Sequence, residues 1–101
     1  MPALKLMWTQ SSRGQFETLR KRAIDTGKQD EFVRTHNEIV VALRDLDTAL
    51  NKGEPLYHTR KPGGEVRQWG HHFILVSYVV FRQEQVGWIL KYLPVPESWP
   101  N

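Results

Sequence analysis

The most informative absence in this sequence is cysteine, which occurs nowhere among the 101 residues. Disulfide bonds, thiolate nucleophiles and zinc sites built from cysteine are therefore excluded. Long apolar runs are missing too. The longest, Phe73 to Phe81, has nine residues and contains Ser77, whereas a transmembrane helix needs about 20. The N-terminal MPALKLMWTQ has no apolar stretch typical of a signal peptide. We expect a cytoplasmic protein with no membrane partner.

Glycine-rich phosphate loops and nucleophile elbows are also absent from the sequence. The segment KPGGEV lacks the Lys-Ser/Thr ending of a P-loop, so we expect no cofactor. With 40% hydrophobic residues in a chain of this length, the composition fits one compact domain. We predict a single domain over residues 1–101, with a proline-broken tail, PVPESWPN, at about 94–101.

The charge of the chain is mildly basic, at +3, but its distribution is uneven. Between Tyr57 and His72 the cations are Arg60, Lys61 and Arg67, against one acid. Histidines and aromatic residues are interleaved with them, as in a surface that binds a polyanion. We take Arg60, Lys61 and Arg67 as candidate nucleic-acid-binding residues. A solvated loop and strand edge would account for the same charges.

The first half of the sequence predicts one strand and two helices. ALKLMW alternates as a short strand does, and the next segment has helical spacing, with Ser12 and Gln15 at the spacing of a capping box. A longer helix is predicted from Asp30, as its cap, to Gly53. Its apolar face is formed by Phe32, His36, Ile39, Leu43, Leu46 and Leu50. We interpret His36 as a core or helix-interface residue and expect an antiparallel helix hairpin.

The second half of the sequence changes to period two and to residues that favour strands. EVRQW, HFILVSYVVF and VGWILKYL predict three consecutive strands, joined at Gly70 and through RQEQ. The connections are short enough to make neighbouring strands antiparallel. The order is β-α-α-β-β-β, and the apolar central strand must be covered by helices on one face. We predict an α+β fold in which an antiparallel sheet is packed on one face by a two-helix hairpin.

Three segments together resemble the RelE/ParE toxin superfamily of bacterial type II toxin–antitoxin pairs. They are KLMWTQSSRGQFETLRKRA, LNKGEPLYHTRKPGGEVRQW and GHHFILVSYVVFRQEQVGWILKYL. The likeness lies in the order of elements and in a basic residue before an aromatic-rich strand, followed by a glycine and an apolar strand that carries Tyr78.

The resemblance implies a toxin that is neutralised by a cognate antitoxin protein. RelE-like members cleave messenger RNA in the ribosome, and ParE-like members poison DNA gyrase. The resemblance therefore implies either the ribosome and messenger RNA or gyrase as the target. A non-catalytic member of the fold, which only binds a protein or nucleic-acid partner, is the alternative.

A ribonuclease of this kind needs a proton acceptor, a proton donor and cations around the reacting phosphate. The resemblance implies that Arg67, on a strand, and Lys91 or Tyr92, near the end of the last strand, fill such roles. Many relatives carry an arginine a few residues after the glycine, where this chain has GHHF and then Ile74. His71 or His72 could substitute for it, because histidine exchanges protons near neutral pH.

The adjacent histidines have a second interpretation, in which they only flank a hairpin. Successive residues of a strand point to opposite faces, so we expect His71 and His72 not to share a site. One should face the open side of the sheet beside Arg67. The sequence shows no regular ligand spacing around them, so we expect no metal.

Overall fold

Over the residues that the structure describes, the fold is an α+β arrangement of three helices and one five-stranded sheet. The structure is a computed structural model, and it describes residues 3–58 and 63–95. In chain order the elements are β1 (Lys5–Trp8), α1 (Gln10–Asp25), α2 (Gln29–Leu43), α3 (Leu46–Asn51), β2 (Glu54–His58), β3 (Gly64–His71), β4 (Ile74–Phe81) and β5 (Val86–Pro94). The strand order is β1-β5-β4-β3-β2. The predicted fold class is confirmed, with the apolar strand β4 at the centre of the sheet.

The sheet differs from the prediction in two respects. It has an additional strand, β2, which pairs antiparallel to β3 around an irregularity between Pro55 and Tyr57. Its first strand, β1, is parallel to β5, so the sheet is mixed and not wholly antiparallel. The long path from β1 to β5 makes this possible, because the three helices and three strands between them carry the chain back to the same edge.

Helix α1 begins at a different cap from the one predicted. The hydroxyl oxygen of Thr9 accepts a hydrogen bond from the Ser12 backbone N–H at 3.1 Å, so Thr9 is the N-cap and Ser12 lies inside the first turn. Helix α2 begins after Lys28, whose side chain makes no capping bond, and Asp30 stands in its first turn. That placement still suits an acid, because the N-terminal end of a helix dipole favours negative charge.

The predicted second helix is in fact two helices, α2 and α3. The chain breaks at Arg44 and Asp45, where the Arg44 carbonyl oxygen accepts a hydrogen bond from the Leu4 backbone N–H at 2.6 Å. Asp45 is extended and caps α3, and its side chain accepts from the Thr48 backbone N–H at 3.1 Å. The N-terminal segment therefore donates to a carbonyl oxygen that, in a continuous helix, would accept a hydrogen bond from a backbone N–H four residues later.

The turn between β3 and β4 also differs from the prediction. Gly70 lies within β3 and pairs with Leu75, and the turn is formed by His72 and Phe73. The predicted connection RQEQ does join β4 to β5. β5 extends through Pro94, and the Val95 backbone N–H donates to the Phe73 carbonyl oxygen at 3.0 Å. The start of the predicted tail is thus paired in the sheet, and residues 96–101 lie outside the described residues.

The main core lies between one face of the sheet and the three helices. The apolar stripe of α2 and α3 is buried there as predicted, with Leu43 0% exposed. From β4 the core receives Ile74, Val76, Tyr78 and Val80. We call this face of the sheet the helix side and the opposite face the open side. Among the described helices, none is long and apolar enough to cross a membrane.

Candidate functional site

The pairing register assigns each predicted site residue to one side of the sheet. Residues directly opposite each other on neighbouring strands point to the same face. Arg67 pairs with Tyr78, and Tyr92 pairs with Val76, which places Arg67 and Tyr92 on the helix side. Lys91 pairs with Ser77 and lies on the open side. The sheet therefore separates side chains that a single RNA-cleaving site would have to bring together.

Arg67 is buried against the end of helix α3, with only 8% of its surface exposed. Its Nε donates to the Lys52 carbonyl oxygen at 2.8 Å, and one terminal nitrogen donates to the Gly53 carbonyl oxygen at 3.1 Å. The other terminal nitrogen binds the Glu65 carboxylate at 2.7 Å. The guanidinium thus satisfies carbonyls that the helix end leaves without partners.

Tyr78 and Gly53 also contribute to the structure at the C-terminal end of α3. The Tyr78 hydroxyl donates to the Ala49 carbonyl oxygen at 2.7 Å and contacts that of Lys52 at 3.1 Å. Burial is the main cause that raises the pKa of Tyr78 to about 12. Gly53 has φ +65, and a Cβ there would overlap the backbone carbonyl of Gln68. This glycine is required both by its left-handed backbone and by the close approach of β3.

Tyr92 joins α2 to the edge strand β1 through a second internal network. The Trp8 indole N–H donates to the Tyr92 hydroxyl oxygen at 2.8 Å, and that hydroxyl lies 2.8 Å from Nε2 of His36. Because an indole can only donate, the Tyr92 oxygen accepts from Trp8 and its own hydrogen is free for His36. The backbone N–H of Tyr92 also donates to the Gln15 side chain at 2.9 Å.

The protonation of this network follows from its burial. Desolvation lowers the pKa of His36, so the neutral imidazole that accepts from Tyr92 is favoured at neutral pH. Burial also raises the pKa of Tyr92 to about 12. The rings of Phe16, Phe32 and Tyr92 surround His36 at centroid distances of 4.6, 6.5 and 5.4 Å. The prediction that His36 is a helix-interface residue is confirmed.

The two adjacent histidines meet at one point, contrary to the prediction that they would not share a site. His71 ends β3 on the helix side, whereas His72 stands in the turn with φ 53. Alternation applies only within a strand, and this left-handed residue turns its ring back toward His71, with ring centroids 4.4 Å apart. The prediction that one histidine faces the open side beside Arg67 is wrong, because Arg67 and His71 both lie on the helix side and His72 stands in the turn.

Both histidines approach a carboxylate on helix α2. Nε2 of His71 lies 3.0 Å from Oε1 of Glu38, and Nε2 of His72 lies 3.7 Å from the same oxygen. One potential ligand atom from each of the three residues lies within 4.8 Å of the others. We call Glu38, His71 and His72 the turn cluster. Among the described residues it is the group that could hold a metal ion.

The open side carries a polar row and an apolar row. Gln68, Ser77 and Lys91 follow one another across three strands, and Lys91 is exposed. The neighbouring row contains Val66 and Val79, which are buried although they are not part of the main core. Arg60 and Lys61, the predicted phosphate-binding cations, lie outside the described residues. Of the predicted catalytic residues, Lys91 alone therefore faces the open side.

Helix α2 presents an open groove on its outer face. The groove has a volume of about 780 Å³ and contains two valines, Val33 and Val41, of which Val41 is 70% exposed. They lie about two helical turns apart, with Asn37 between them. Three charged residues, Asp30, Arg34 and Glu38, also line the groove. An apolar strip with charged flanks suits contact with another polypeptide.

Sequence reasoning missed Glu38 and the hydrogen-bonded role of Trp8. Glu38 is 33 residues before His71, so no local motif connects them, and only the packing of α2 on the sheet brings them together. A hydrogen bond from Trp8 could have been expected from the sequence, because the N–H of a partly buried indole needs an acceptor. Its partner, 84 residues away, depends on the parallel pairing of β1 with β5.

The fold has a counterpart among solved structures. A chain in the structure of the chromosomal ParDE TA system from P. aeruginosa superposes with a TM-score of 0.65 at 16% sequence identity. The match covers 92% of this chain and 97% of that chain. Neither the protein-family models nor the curated proteins gave a match. The comparison confirms the fold expected from the resemblance to RelE and ParE.

Proposed function

We propose that this protein is the toxin component of a type II toxin–antitoxin pair and that it acts on DNA gyrase by binding, as ParE-like toxins do. The observation that carries the proposal is the fold shared with a chain of a ParDE system over nearly the full length of both chains. A fold alone does not define a function, so the geometry of the predicted catalytic residues matters as well.

That geometry favours binding over cleavage of RNA. A catalytic group must come within hydrogen-bond reach of the substrate, yet Tyr92 is only 2% exposed and its hydroxyl already contacts Trp8 and His36. Arg67 is engaged by Glu65 and by two carbonyl oxygens. A pKa of about 12 for Tyr92 also makes it a poor proton acceptor near neutral pH.

A RelE-like ribonuclease is the second candidate, and Lys91 is the observation in its favour. Lys91 is exposed beside Ser77 on the open side, where a phosphate backbone could reach it. A lysine can stabilise the charge of a phosphorane-like transition state. A proton acceptor and donor would still be needed, and the predicted ones, His71, His72 and Tyr92, do not lie on that face.

For the antitoxin, we propose the α2 groove as the contact surface. Val33 and Val41 offer an apolar strip about 12 Å long, from the rise of 1.5 Å per residue, which matches two turns of an amphipathic helix in a partner. Arg34 and Glu38 border the strip and could pair with charges on that helix. Changing both valines to aspartate should prevent neutralisation by the antitoxin without unfolding the toxin, because both side chains are exposed.

The test is induction of the wild-type chain in cells without an antitoxin, with growth, translation and DNA supercoiling followed together. Growth arrest with loss of supercoiling before translation would support the proposal. Arrest with translation lost first would support the ribonuclease. Normal growth at high soluble expression would contradict a toxin and leave a module that only binds a partner. Co-expression of a short neighbouring reading frame should restore growth if that frame encodes the antitoxin.

A further inference from the structure

The β3–β4 turn and helix α2 bring two imidazoles and one carboxylate to a single point. The two histidine Nε2 atoms lie 3.0 and 3.7 Å from Oε1 of Glu38. An imidazole–carboxylate hydrogen bond accounts for the shorter distance. It does not account for the longer one, by which the ring of His72, exposed in the turn, approaches the same oxygen.

We propose that the turn cluster binds a divalent transition metal ion, of which zinc is the best fit. Zinc is held by imidazole nitrogens and carboxylate oxygens at about 2.0 to 2.2 Å in a tetrahedron, whose edges are then about 3.3 to 3.6 Å. The distances of 3.0 and 3.7 Å fall on either side of that edge. Shifts of a few tenths of an ångström would bring each histidine nitrogen to that distance from the Glu38 oxygen, and one ligand atom from each of the three residues already lies within 4.8 Å of the others.

The chemistry of the ligands selects the class of metal. Two imidazoles and one carboxylate suit zinc and its neighbours, whereas calcium and magnesium prefer sets made only of oxygen. Three protein ligands leave the fourth position for water, as in zinc sites that keep an open coordination position. The site is reachable from solvent, because His72 is 61% exposed and Glu38 is half-exposed at its side chain.

One ligand is oriented before the metal arrives. The His71 ring lies against the Trp69 indole, with ring centroids 5.0 Å apart. The Lys52 Nζ lies over the same tryptophan, 5.4 Å from its ring centroid. Packing of this kind limits the rotation of a ligand ring and so reduces the entropy lost on binding. A bound ion would tie the β3–β4 turn to α2. This proposal does not depend on the toxin proposal.

The test is titration of the purified full-length chain, without a histidine tag, with Zn²⁺ alone in a calorimeter. We expect one ion per chain. We also expect a rise in Tm on the order of 10 °C at a hundredfold excess over Kd, reversed by a chelator. Co²⁺ in place of Zn²⁺ should give the visible absorption bands of tetrahedral coordination. Mg²⁺ should give neither heat nor a shift in Tm.

The variants are His72→Ala and Glu38→Gln, with His58→Ala as the matched control. His58 pairs with Glu65, at the opposite end of β3 from His71. The first two changes should each weaken Zn²⁺ binding at least tenfold, and His58→Ala should not change it. Both altered side chains are exposed, so circular dichroism should show a preserved fold. Absence of Zn²⁺ binding by the wild type, or equal binding by His72→Ala and the wild type, would overturn the proposal.

Discussion

The two sides of the sheet contain similar residue types but use them differently. On the helix side, the polar groups of Arg67, Tyr78 and Tyr92 are hydrogen-bonded to backbone carbonyls or to other buried side chains. On the open side, Lys91 is exposed and its neighbours Gln68 and Ser77 form a polar row across the strands. The difference shows that a residue's type and its position on a strand are not enough to predict a catalytic role. The side of the sheet on which its side chain lies must also be known.

The helix side also shows why such residues can resemble a catalytic set. A helix that ends on a sheet leaves carbonyl groups without donors, and a long cation or a phenol on the adjacent strand can reach them. Arg67 and Tyr78 do this at the end of α3. In this protein, Arg67 and Tyr78 therefore have a structural reason for their positions on the strands.

The largest expected effect contrasts Arg67→Ala with Lys91→Ala. Removing Arg67 leaves the half-buried Glu65 without its ion pair and the Gly53 carbonyl without its donor. We expect the free energy of unfolding to fall by about 3 to 5 kcal/mol. Lys91→Ala should change it by less than about 0.5 kcal/mol. Urea denaturation of both variants measures the contrast, and equal losses would contradict the assignment of the two sides.

The second contrast lies on helix α2, between its inner and outer faces. Leu43→Ala should destabilise the protein by about 2 to 5 kcal/mol, because it opens a cavity in the core. Val41→Ala, on the exposed face, should cost less than about 0.5 kcal/mol. Thermal unfolding followed by circular dichroism would measure both. A Leu43→Ala variant as stable as Val41→Ala would place Leu43 outside the core.

Tyr92→Phe tests a single hydroxyl group on the helix side. Without it, the Trp8 N–H and His36 Nε2 lose their shared partner, and we expect a loss of about 1 to 2 kcal/mol in the free energy of unfolding. The matched control is Tyr57→Phe, because Tyr57 is exposed. Its stability should remain that of the wild type in the same urea titration. Equal stability of the two variants would mean that the Tyr92 hydroxyl stabilises nothing.

The smallest expected effect is a pH dependence of the stability of the fold, caused by His36. Its folded-state pKa lies below the ordinary value of 6.5 because of desolvation. Between those two pKa values the unfolded chain binds more protons, so stability is full above pH 6.5 and falls as the solution is acidified. His36→Gln should reduce the slope of Tm against pH in this range. If the substitution left the slope unchanged, the pH dependence of stability would have to come from other titratable groups.

Most elements and their order were predictable from the sequence because they depend on local periodicity, whereas strand β2 and the separate helix α3 were not predicted. The stripe that includes Phe32, Ile39 and Leu43 is buried as predicted, and β4 is the central strand. The same periodicity concealed the break at Arg44, since Leu46 and Leu50 continue the stripe on α3. A cap signal was present there, because Asp45 precedes Thr48 at capping distance, but an aspartate within a periodic run is easily assigned to a continuous helix.

The features that could not be predicted depend on contacts between distant parts of the chain. The parallel pairing of β1 with β5 cannot be predicted from the alternation of apolar and polar residues in either strand. The meeting of His71 and His72 depends on one positive φ, and their approach to Glu38 depends on how α2 crosses the sheet. For the turn cluster, the sequence pointed to His71 and His72 but not to Glu38. It also did not reveal on which face of the sheet Arg67, Lys91 and Tyr92 lie.

The most direct test of the account is messenger RNA cleavage by the purified chain in a translation extract. If Arg67 and Tyr92 are structural and the protein acts by binding gyrase, the wild type should leave ribosome-bound messenger RNA intact while it reduces supercoiling by purified gyrase. The contradicting result is cleavage by the wild type that Tyr92→Phe abolishes without any change in its Tm, since that would make the buried hydroxyl a catalytic group.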